Sequence, residues 1–333
     1  MKRRVILLSL LLLVSLCLLL VGCRKTGEDE NAESAVYYTV TYDTNGAGAI
    51  EPRQVPAGGL LPDPGVPERE GYLFGGWTHD GGSVTFGMTL VKGDMVVRAN
   101  WISAESMFGY THVEGTDTAI ITELKGEMAE LRIPTSIGNY RVVGLGDHLF
   151  AGLESEKIKK IFVPHTVTSI GEETFAEVTS IAIEFDERCQ ITSLGERAFF
   201  GCVGLTDIPL GEGLTLLPYE VLAGTSLKSL RLPKSVTKID ENALDACGSL
   251  VAVMMHSSVE SVENAAFFEC DALKTLFFYG SAEQADALMG SKVDSMNDSL
   301  KSAKIYLYAE AKPSVEGKYE YFYLDENQKT KIW

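Results

Sequence analysis

The chain has 333 residues, with 29 lysine and arginine residues against 46 aspartate and glutamate residues, which gives a formal net charge of −17 at pH 7. This acidic balance argues against nucleic acid as a partner, because phosphates require a basic protein face. It also argues against electrostatic adhesion to anionic lipid, so that solubility is the main consequence expected from the charge.

The first 22 residues have the pattern of a secretory leader. Basic residues at positions 2–4 are followed by an apolar run at 5–21, and Gly22 precedes Cys23. The segment 20–23, Leu-Val-Gly-Cys, resembles the lipobox of bacterial lipoproteins. The resemblance implies a mature chain that starts at Cys23, outside the cytoplasm, with a lipid attached to that residue. A transmembrane anchor and a plain secreted protein are the alternatives, although the run lies at the short edge of what spans a bilayer.

Residues 23–35 are polar and charged, and they are predicted to form a flexible tether. Residues 36–101 are predicted to form the first folded unit, which starts with a strand of β-branched and aromatic residues and a turn at 43–46. A unit of ~65 residues must bury its aromatic side chains densely to be stable. The expected core residues are Tyr72, Phe74, Trp77, Phe86 and Trp101.

This unit contains three motifs, VTYDTNG at 40–46, PEREGYLFGGW at 67–77 and VRANW at 97–101. Together they resemble the Listeria–Bacteroides repeat, also called the internalin B-repeat. The resemblance implies a small β-grasp module of bacterial surface proteins, which acts as a spacer or a binding module without known chemistry. The run at 43–46 is interpreted as a hairpin turn and not as a calcium loop, because the later ligands of such a loop are missing.

Residues 102–280 repeat one pattern, in which a large apolar residue recurs every 22 to 25 positions. Two of the clearest copies are VTSIGEETF at 167–175 and ITSLGERAF at 191–199. A fixed period in this range predicts a stacked solenoid, because a single repeat cannot bury its apolar side alone. The recurring residues are Phe150, Phe175, Phe199, Leu222, Leu244 and Phe267.

Each repeat also contains a segment with apolar residues at alternate positions, which predicts one strand of a parallel sheet. Residues 178–191 depart from the repeat and predict an irregular rung. The predicted strands lie at 158–163, 205–210, 227–232, 250–255 and 273–278.

Three cysteines, Cys202, Cys247 and Cys270, each follow the large apolar residue of their repeat by three positions, whereas Cys189 lies outside this series. Stacking of the repeats would place the three side chains in one buried row. Free thiols are the favoured interpretation and disulfides are the alternative, since the chain is predicted to be exported. A metal site is not predicted, because cysteines placed one per rung do not converge on one point.

The segment 227–247, LKSLRLPKSVTKIDENALDAC, resembles the BspA-like leucine-rich repeat of bacterial surface proteins, with Asp240 in place of glycine and Leu244 in place of phenylalanine. The match extends over residues 120–280, and 131–145 resemble the first rung that is usual in that family. The fold class is therefore predicted as mostly β, a small β-grasp module followed by a leucine-rich-repeat solenoid with a parallel sheet.

Residues 281–333 are predicted to cap the solenoid, whose open end would otherwise expose strand edges and apolar side chains. Ser281 and Gln284 have the spacing of a capping box for a short helix. Residues 304–308 predict a last strand, and the aromatic residues between 319 and 333 are expected to cover the open end. This tail resembles a C-terminal extension that is common in the family.

No arrangement typical of an enzyme is found in the sequence, so no catalytic residue, metal or cofactor is predicted. The histidines lack HxH or HExxH spacing, and neither a nucleophile elbow nor a phosphate-binding glycine loop is present. Ser235 and Lys238 fit the S-x-x-K motif of penicillin-binding acyl enzymes. The motif coincides with the repeat pattern, however, and its companion motifs are missing.

The outward positions of the predicted strands should line one open face of the solenoid, the part that repeat proteins often use for binding. Apolar side chains that cluster on such a face can mark a partner site, and scattered surface residues are the alternative. The candidate binding residues are Phe162, Glu184, Arg231, Met254 and Phe277.

These observations predict a lipid-anchored, extracytoplasmic protein of the cell surface. Its predicted role is adhesin-like binding of an extracellular protein or glycan, and adhesion is implied by the resemblance alone because a fold does not fix a function. One alternative is a surface hydrolase or transpeptidase-like enzyme, which needs an activated nucleophile. Another is a structural spacer at the cell wall.

Overall fold

The computed structural model describes residues 35–313 and 318–333. The predicted leader, Cys23 and the tether up to residue 34 lie outside the described residues. Within those two ranges, no helix combines the length and the apolar character that crossing a bilayer requires. The described residues contain two hydrophobic cores, a small one in the N-terminal module and a long one that runs through the repeats.

Five strands of the N-terminal module form one mixed sheet in the order β2-β1-β5-β3-β4. The central strands β1 and β5 are parallel, and the remaining pairs are antiparallel. This arrangement confirms the prediction of a small β-module at the N-terminal side of the solenoid. The strands are β1 (Tyr37–Asp43), β2 (Arg53–Pro56), β3 (Tyr72–His79), β4 (Gly82–Ser83) and β5 (Met95–Ser103).

The core of the module depends more on aliphatic side chains than the sequence predicts. Trp77 is buried, and Phe74, Phe86 and Trp101 pack partly buried against the core. Tyr72 remains 38% exposed, so its assignment to the core was wrong. Tyr72 lies at the start of β3 with the guanidinium of Arg69 over its ring, and the buried side chain of the neighbouring Leu73 belongs to the core of the solenoid. The buried aliphatic residues are Val40, Val55, Leu61, Val91 and Val97.

A short helix, α1 (Ala104–Met107), joins the module to the solenoid. The first part of the solenoid contains two antiparallel hairpins, β6–β7 and β9–β10, and β10 pairs with β7 in parallel. The module is not separated from this part, because Leu73 is buried in the core of the solenoid. The strands are β6 (Phe108–His112), β7 (Thr118–Leu124), β8 (Glu130–Arg132), β9 (Ser136–Ile137) and β10 (Tyr140–Leu145).

The repeats stack so that most of them contribute one strand to each of two parallel rows. The first row contains the longer strands and the second contains strands of two residues. The strands of the first row are β11 (Lys160–Val163), β13 (Ala182–Phe185), β16 (Ser229–Arg231), β18 (Ala252–His256) and β20 (Thr275–Tyr279). Those of the second are β12 (Ser169–Ile170), β14 (Ser193–Leu194), β15 (Leu216–Leu217), β17 (Lys238–Ile239) and β19 (Ser261–Val262).

Both rows are interrupted at the repeat that contains residues 205–210. The prediction of a strand there was wrong, because only Leu205 and Leu210 form isolated bridges to the preceding rung. By the spacing of the apolar residues in the sequence, Pro209 has the position that Phe162 has in its own repeat, and proline has no N–H to donate to a ladder. The irregular rung predicted at 178–191 is thus displaced by one repeat, since β13 pairs with β11 over four residues.

The turn side of each rung contains two residues with a left-handed backbone, two positions before and two positions after the large apolar residue. Their φ angles lie between 48° and 56° at the earlier position and between 51° and 70° at the later one. The earlier residues are His148, Glu173, Arg197, Glu220, Asn242 and Ala265. The later residues are Gly152, Glu177, Gly201, Gly224, Ala246 and Glu269.

The large apolar residues are buried and stack along the axis, as predicted. The ring centroids of Phe150 and Phe175 are 5.2 Å apart, and those of Phe175 and Phe199 are 5.1 Å apart. Backbone hydrogen bonds join the same positions of successive rungs, for example from the N–H of Leu244 to the carbonyl of Ala266 at 2.8 Å. The solenoid is therefore held together on its turn side as well as in its strands.

The C-terminal region contains the capping box and the strand at 304–308 that the sequence predicts, but that strand is not the last one, because two further strands follow it. The helix α2 (Ala282–Ala287) has a capping box between Ser281 and Gln284, and a π-helical turn follows at Leu288–Lys292. After α3 (Asp298–Ser302), three strands extend the row that ends in β20: β21 and β22 add in parallel and β23 pairs antiparallel with β22. The added strands are β21 (Lys304–Tyr308), β22 (Glu320–Leu324) and β23 (Thr330–Ile332).

Candidate functional site

The five candidate binding residues lie on the outward side of the longer strands, but in two separate groups. In the N-terminal group, Phe162 is in register with Arg132 on one side and with Glu184 on the other. In the C-terminal group, Met254 is in register with Arg231 and Phe277. The rung that contains Pro209 separates the groups, so the sequence correctly placed the residues on strands but missed the break between them.

The N-terminal group exposes little apolar surface, because charged side chains pack against Phe162 or lie beside it. The guanidinium carbon of Arg132 lies 4.6 Å from the ring centroid of Phe162. Glu184 is exposed and forms an ion pair with Lys160 at 2.9 Å, and their hydrogen bond raises the pKa of the Lys160 ammonium. At the solvent-exposed surface such a pair contributes little to stability.

In the C-terminal group, Arg231 is exposed and Met254 is half-buried. Phe277 is also half-buried, because Phe322 from the tail packs edge-on against it with ring centroids 5.0 Å apart. The tail thus covers part of the face that the sequence analysis assigned to binding. Arg231 and Met254 remain the more accessible members of this group.

A second aromatic row, which the sequence analysis did not identify, runs beside this group. The rings of His256 and Tyr279 stack at 4.5 Å, and those of Tyr279 and Tyr308 stack at 4.9 Å. Burial lowers the pKa of His256, which favours the neutral imidazole. These residues lie two positions after Met254, Phe277 and Tyr306, so the same alternation that located the first row could have located the second.

A cleft lies between the N-terminal module and the first rungs of the solenoid, with a volume of about 530 Å³. It is fixed by contacts across it, since the N–H of Gly71 donates to Oγ of Ser136 at 2.9 Å and Leu73 is buried in the solenoid core. We call it the module cleft. The side chains that give it its chemical character are Arg69, Tyr72 and Trp101 from the module and Arg132, Arg141 and Phe162 from the solenoid.

The S-x-x-K motif does not form a nucleophile with a neighbouring base. Oγ of Ser235 donates to the carbonyl of Leu214 at 2.7 Å and accepts from the N–H of Gly213 at 3.1 Å. Lys238 forms ion pairs with Asp240 at 3.4 Å and Glu263 at 3.7 Å. Among the described residues, no group of three or more histidine, cysteine or acidic side chains is placed to hold a metal ion.

The four cysteines of the repeats are buried and free, as predicted for three of them. Thr225 occupies the same position in the repeat between Cys202 and Cys247, and it is also buried. Burial raises the pKa of Cys189 and of Cys202 to about 12. These thiols are therefore protonated at neutral pH and serve as small packing residues.

Comparison with known protein families agrees with this architecture. Residues 144–274 match the BspA type leucine rich repeat region in six copies. Residues 38–100 match the Listeria-Bacteroides repeat domain. The chain thus contains a Listeria-Bacteroides repeat domain followed by a BspA-type leucine-rich repeat region, which confirms both resemblances found in the sequence.

Solved structures that are similar to parts of this chain include a leucine rich repeat protein from T. pallidum, with 24% identity, a TM-score of 0.47 and coverage of 56% of this chain and 95% of the other. A leucine rich cell surface protein from Faecalibacterium prausnitzii has 19% identity, a TM-score of 0.39 and coverage of 68% and 59%. The pneumococcal vaccine antigen PcpA has 13% identity, a TM-score of 0.30 and coverage of 61% and 92%. No curated protein sequence matches the chain at a significant level.

Proposed function

We propose that this protein is held at the bacterial cell membrane by a lipid on Cys23 and displays its repeats outside the cell to bind a protein or a glycan without catalysis. The leader and the Leu-Val-Gly-Cys segment at 20–23 support the anchor. The BspA-type repeats and the preceding Listeria-Bacteroides repeat support the binding role, since repeat proteins use their extended faces for contact.

The observation that carries the proposal is the outward side of the C-terminal strands. Arg231, Met254 and Phe277 stand in register on β16, β18 and β20, one per rung. Neighbouring strands of a sheet are about 4.8 Å apart, so these side chains form a row, in which Arg231 and Met254 are the members that a partner surface can reach. Arginine and methionine are among the residues enriched at protein interfaces.

The alternative, a surface hydrolase or transpeptidase-like enzyme, requires a nucleophile beside a general base. Ser235 is the residue on which the sequence bases that alternative, and its hydroxyl is held by the backbone groups of Leu214 and Gly213. Labelling of the intact chain by an activity-based serine probe at Ser235 would replace the binding proposal by the enzymatic one. We expect no labelling.

The binding proposal is tested with residues 24–333, which include every residue that the structure describes. The protein is applied to a panel of immobilised extracellular matrix proteins and cell-wall glycans. We expect binding to at least one member and a loss of about tenfold in affinity for Met254→Glu, because the apolar contact of Met254 is replaced by a carboxylate that must lose its hydration when the partner binds.

Phe268→Glu is the matched control. Phe268 is 40% exposed and lies on the turn side, directly after Phe267, so this variant makes the same change of chemistry away from the strand face. Its affinity should stay within about twofold of the unchanged protein, which is the range expected for residues outside an interface. An absence of any binding partner on the panel, or equal losses for the two variants, contradicts the proposal.

A further inference from the structure

The module cleft concentrates positive charge on an acidic protein. Arg69, Arg132 and Arg141 line it, which is three of the eight arginines in the described part of the chain. Arg69 and Arg141 have no carboxylate of the described residues within 4.0 Å, and Arg132 has only Glu130 at 3.8 Å. Apart from that contact the three guanidinium groups form no close ion pair among the described residues, and the charged side chains that line the cleft, Glu68 and Glu70 included, sum to +1 on a chain that carries −17.

Two of these guanidinium groups are held in place before any ligand arrives. The carbon of the Arg69 guanidinium lies 4.0 Å from the ring centroid of Tyr72, and its Nη1 donates to the carbonyl of Asn45 at 3.0 Å. Arg132 lies 4.6 Å from the centroid of Phe162. A guanidinium held over an aromatic ring has lost part of its freedom to move, and its N–H groups can bind a carboxylate through two hydrogen bonds.

The walls of the cleft do not depend on the ligand for their position. The module and the solenoid share the buried Leu73, and the N–H of Gly71 bonds to Ser136 across the junction. A volume of about 530 Å³ lies within the range of small-ligand sites and accommodates a few residues of a peptide. Because the walls are already formed, little conformational entropy is lost when a ligand enters.

Resting on the proposed binding function, we propose that the module cleft binds an extended acidic peptide segment of a partner protein. Arg69, Arg132 and Arg141 receive its aspartate or glutamate side chains, which is how arginine clusters recognise acidic motifs. Glu68 and Glu70 also line the cleft and can accept hydrogen bonds from peptide N–H groups. The side chains of the cleft thus offer three positive and two negative groups, a pattern that fits a peptide better than a uniformly anionic polymer.

A peptide is favoured over an acidic glycan for a second reason. Sugar recognition relies on flat aromatic faces, and one face of Tyr72 and one face of Phe162 are each covered by a guanidinium group. A ring face that carries a guanidinium group is not free to stack on a sugar, which disfavours a glycan at Tyr72 and Phe162. Phe162 was a candidate binding residue from the sequence, and in this proposal it acts by positioning Arg132.

The probe is a fluorescein-labelled peptide of five Glu-Ala repeats, titrated with residues 24–333 at about 0.15 M salt, where long-range effects of the net charge are screened. The test variant carries both Arg69→Gln and Arg132→Gln. Arg53→Gln is the matched control. Arg53 belongs to the same module and also lacks a carboxylate partner among the described residues, but it does not line the cleft. Thermal unfolding of each variant verifies that it is folded.

We expect the peptide to bind, the double variant to weaken binding by about tenfold or more, and Arg53→Gln to change it by less than about twofold. A peptide of Lys-Ala repeats should not bind. The proposal is overturned if the acidic peptide fails to bind, if Arg53→Gln weakens binding as much as the double variant, or if hyaluronate, a uronate polymer, binds in the cleft while the peptide does not.

The matrix and glycan panel separates this proposal from the general binding function. If the panel detects a partner that depends on Met254, and the acidic peptide does not bind, the cleft assignment fails while the proposed function stands. If the panel detects no partner and the peptide also fails to bind, both fail.

Discussion

Oδ1 of Asn297 accepts a hydrogen bond from the backbone N–H of Phe267 at 2.8 Å. In the preceding rung the equivalent N–H, that of Leu244, donates to a backbone carbonyl of the next rung, at Ala266. Asn297 therefore replaces the rung that is missing at the end of the solenoid. Its Nδ2 also donates to the carbonyl of Glu263 at 2.9 Å, and the residue is fully buried.

Replacing Asn297 by alanine should lower the free energy of unfolding by about 3 kcal/mol, because it leaves the buried N–H of Phe267 and the carbonyl of Glu263 without their partner. The measurement is equilibrium unfolding in urea. Asn264→Ala, which removes a longer contact to Glu241 at an exposed position, is the control and should cost less than about 1 kcal/mol. Equal losses for the two variants would show that Asn297 does not close the solenoid.

The turn residues with a left-handed backbone predict that exchanging glycine and alanine at equivalent positions changes the stability of the protein in opposite directions. Gly224→Ala should destabilise the protein by about 1 kcal/mol, since the φ angle of 70° disfavours a β-carbon, whose nearest neighbour would be Cα of Gly201 at 3.4 Å. Ala246 occupies the same turn position in the next repeat, with φ of 55°. Ala246→Gly should therefore be neutral or stabilising, and unfolding in urea distinguishes the two directions. Destabilisation by both variants would contradict this interpretation of the turns.

The burial of the thiols predicts that they resist alkylation in the folded protein. At pH 8, iodoacetamide should not modify Cys189 or Cys202 in the folded protein, because their sulfur atoms are buried and the pKa of each is raised to about 12. In denaturant, all four cysteines of residues 24–333 should react, as counted by mass spectrometry of the intact chain. Fewer reactive thiols in denaturant would indicate a disulfide, and rapid reaction of the folded protein would contradict their burial.

Asp186 predicts a dependence of stability on pH. The hydrogen bond from Arg188 lowers the pKa of Asp186 to about 2. A carboxyl group whose pKa is lower in the folded state stabilises the protein above its unfolded pKa of about 4, and this contribution is lost as the pH falls towards 2. Asp186→Asn should therefore cost about 1 kcal/mol at pH 7, after allowance for screening by solvent, and only a small fraction of that near pH 2.

The measurement for Asp186→Asn is urea unfolding at several pH values, with Glu187→Gln as a control that removes a neighbouring exposed charge. A cost that stays the same from pH 7 down to pH 2 would show that the substitution acts through packing or turn geometry and not through ionisation of the carboxyl group.

The parts of the fold that depend on local pattern were predictable from the sequence. The large apolar residues of the repeats, the capping box at Ser281 and the strand at 304–308 each follow from spacing within one segment. The strand expected at 205–210 failed because one proline, Pro209, outweighs the apolar pattern around it. A single residue without an N–H determines whether this segment forms a strand, and the periodicity of the apolar residues carries no information about it.

The features that depend on contacts between distant segments were not predictable. Arg69 and Arg132 lie far apart in sequence and meet in the module cleft only because Leu73 enters the core of the solenoid. Phe322 covers Phe277 only because the tail returns over the outward face of the sheet. Neither arrangement leaves a periodic signal in the sequence, so the outward positions of the strands were predictable but their accessibility was not.

The most direct test of the account is hydrogen–deuterium exchange of residues 24–333, alone and with the first matrix protein or glycan that the panel retrieves. The account predicts slower exchange at the edges of the C-terminal strand face, in β16, β18 and β20 around Arg231 and Met254, and unchanged exchange in the turn segment 244–247. Protection confined to the turn side, with the strand face unchanged, would contradict it.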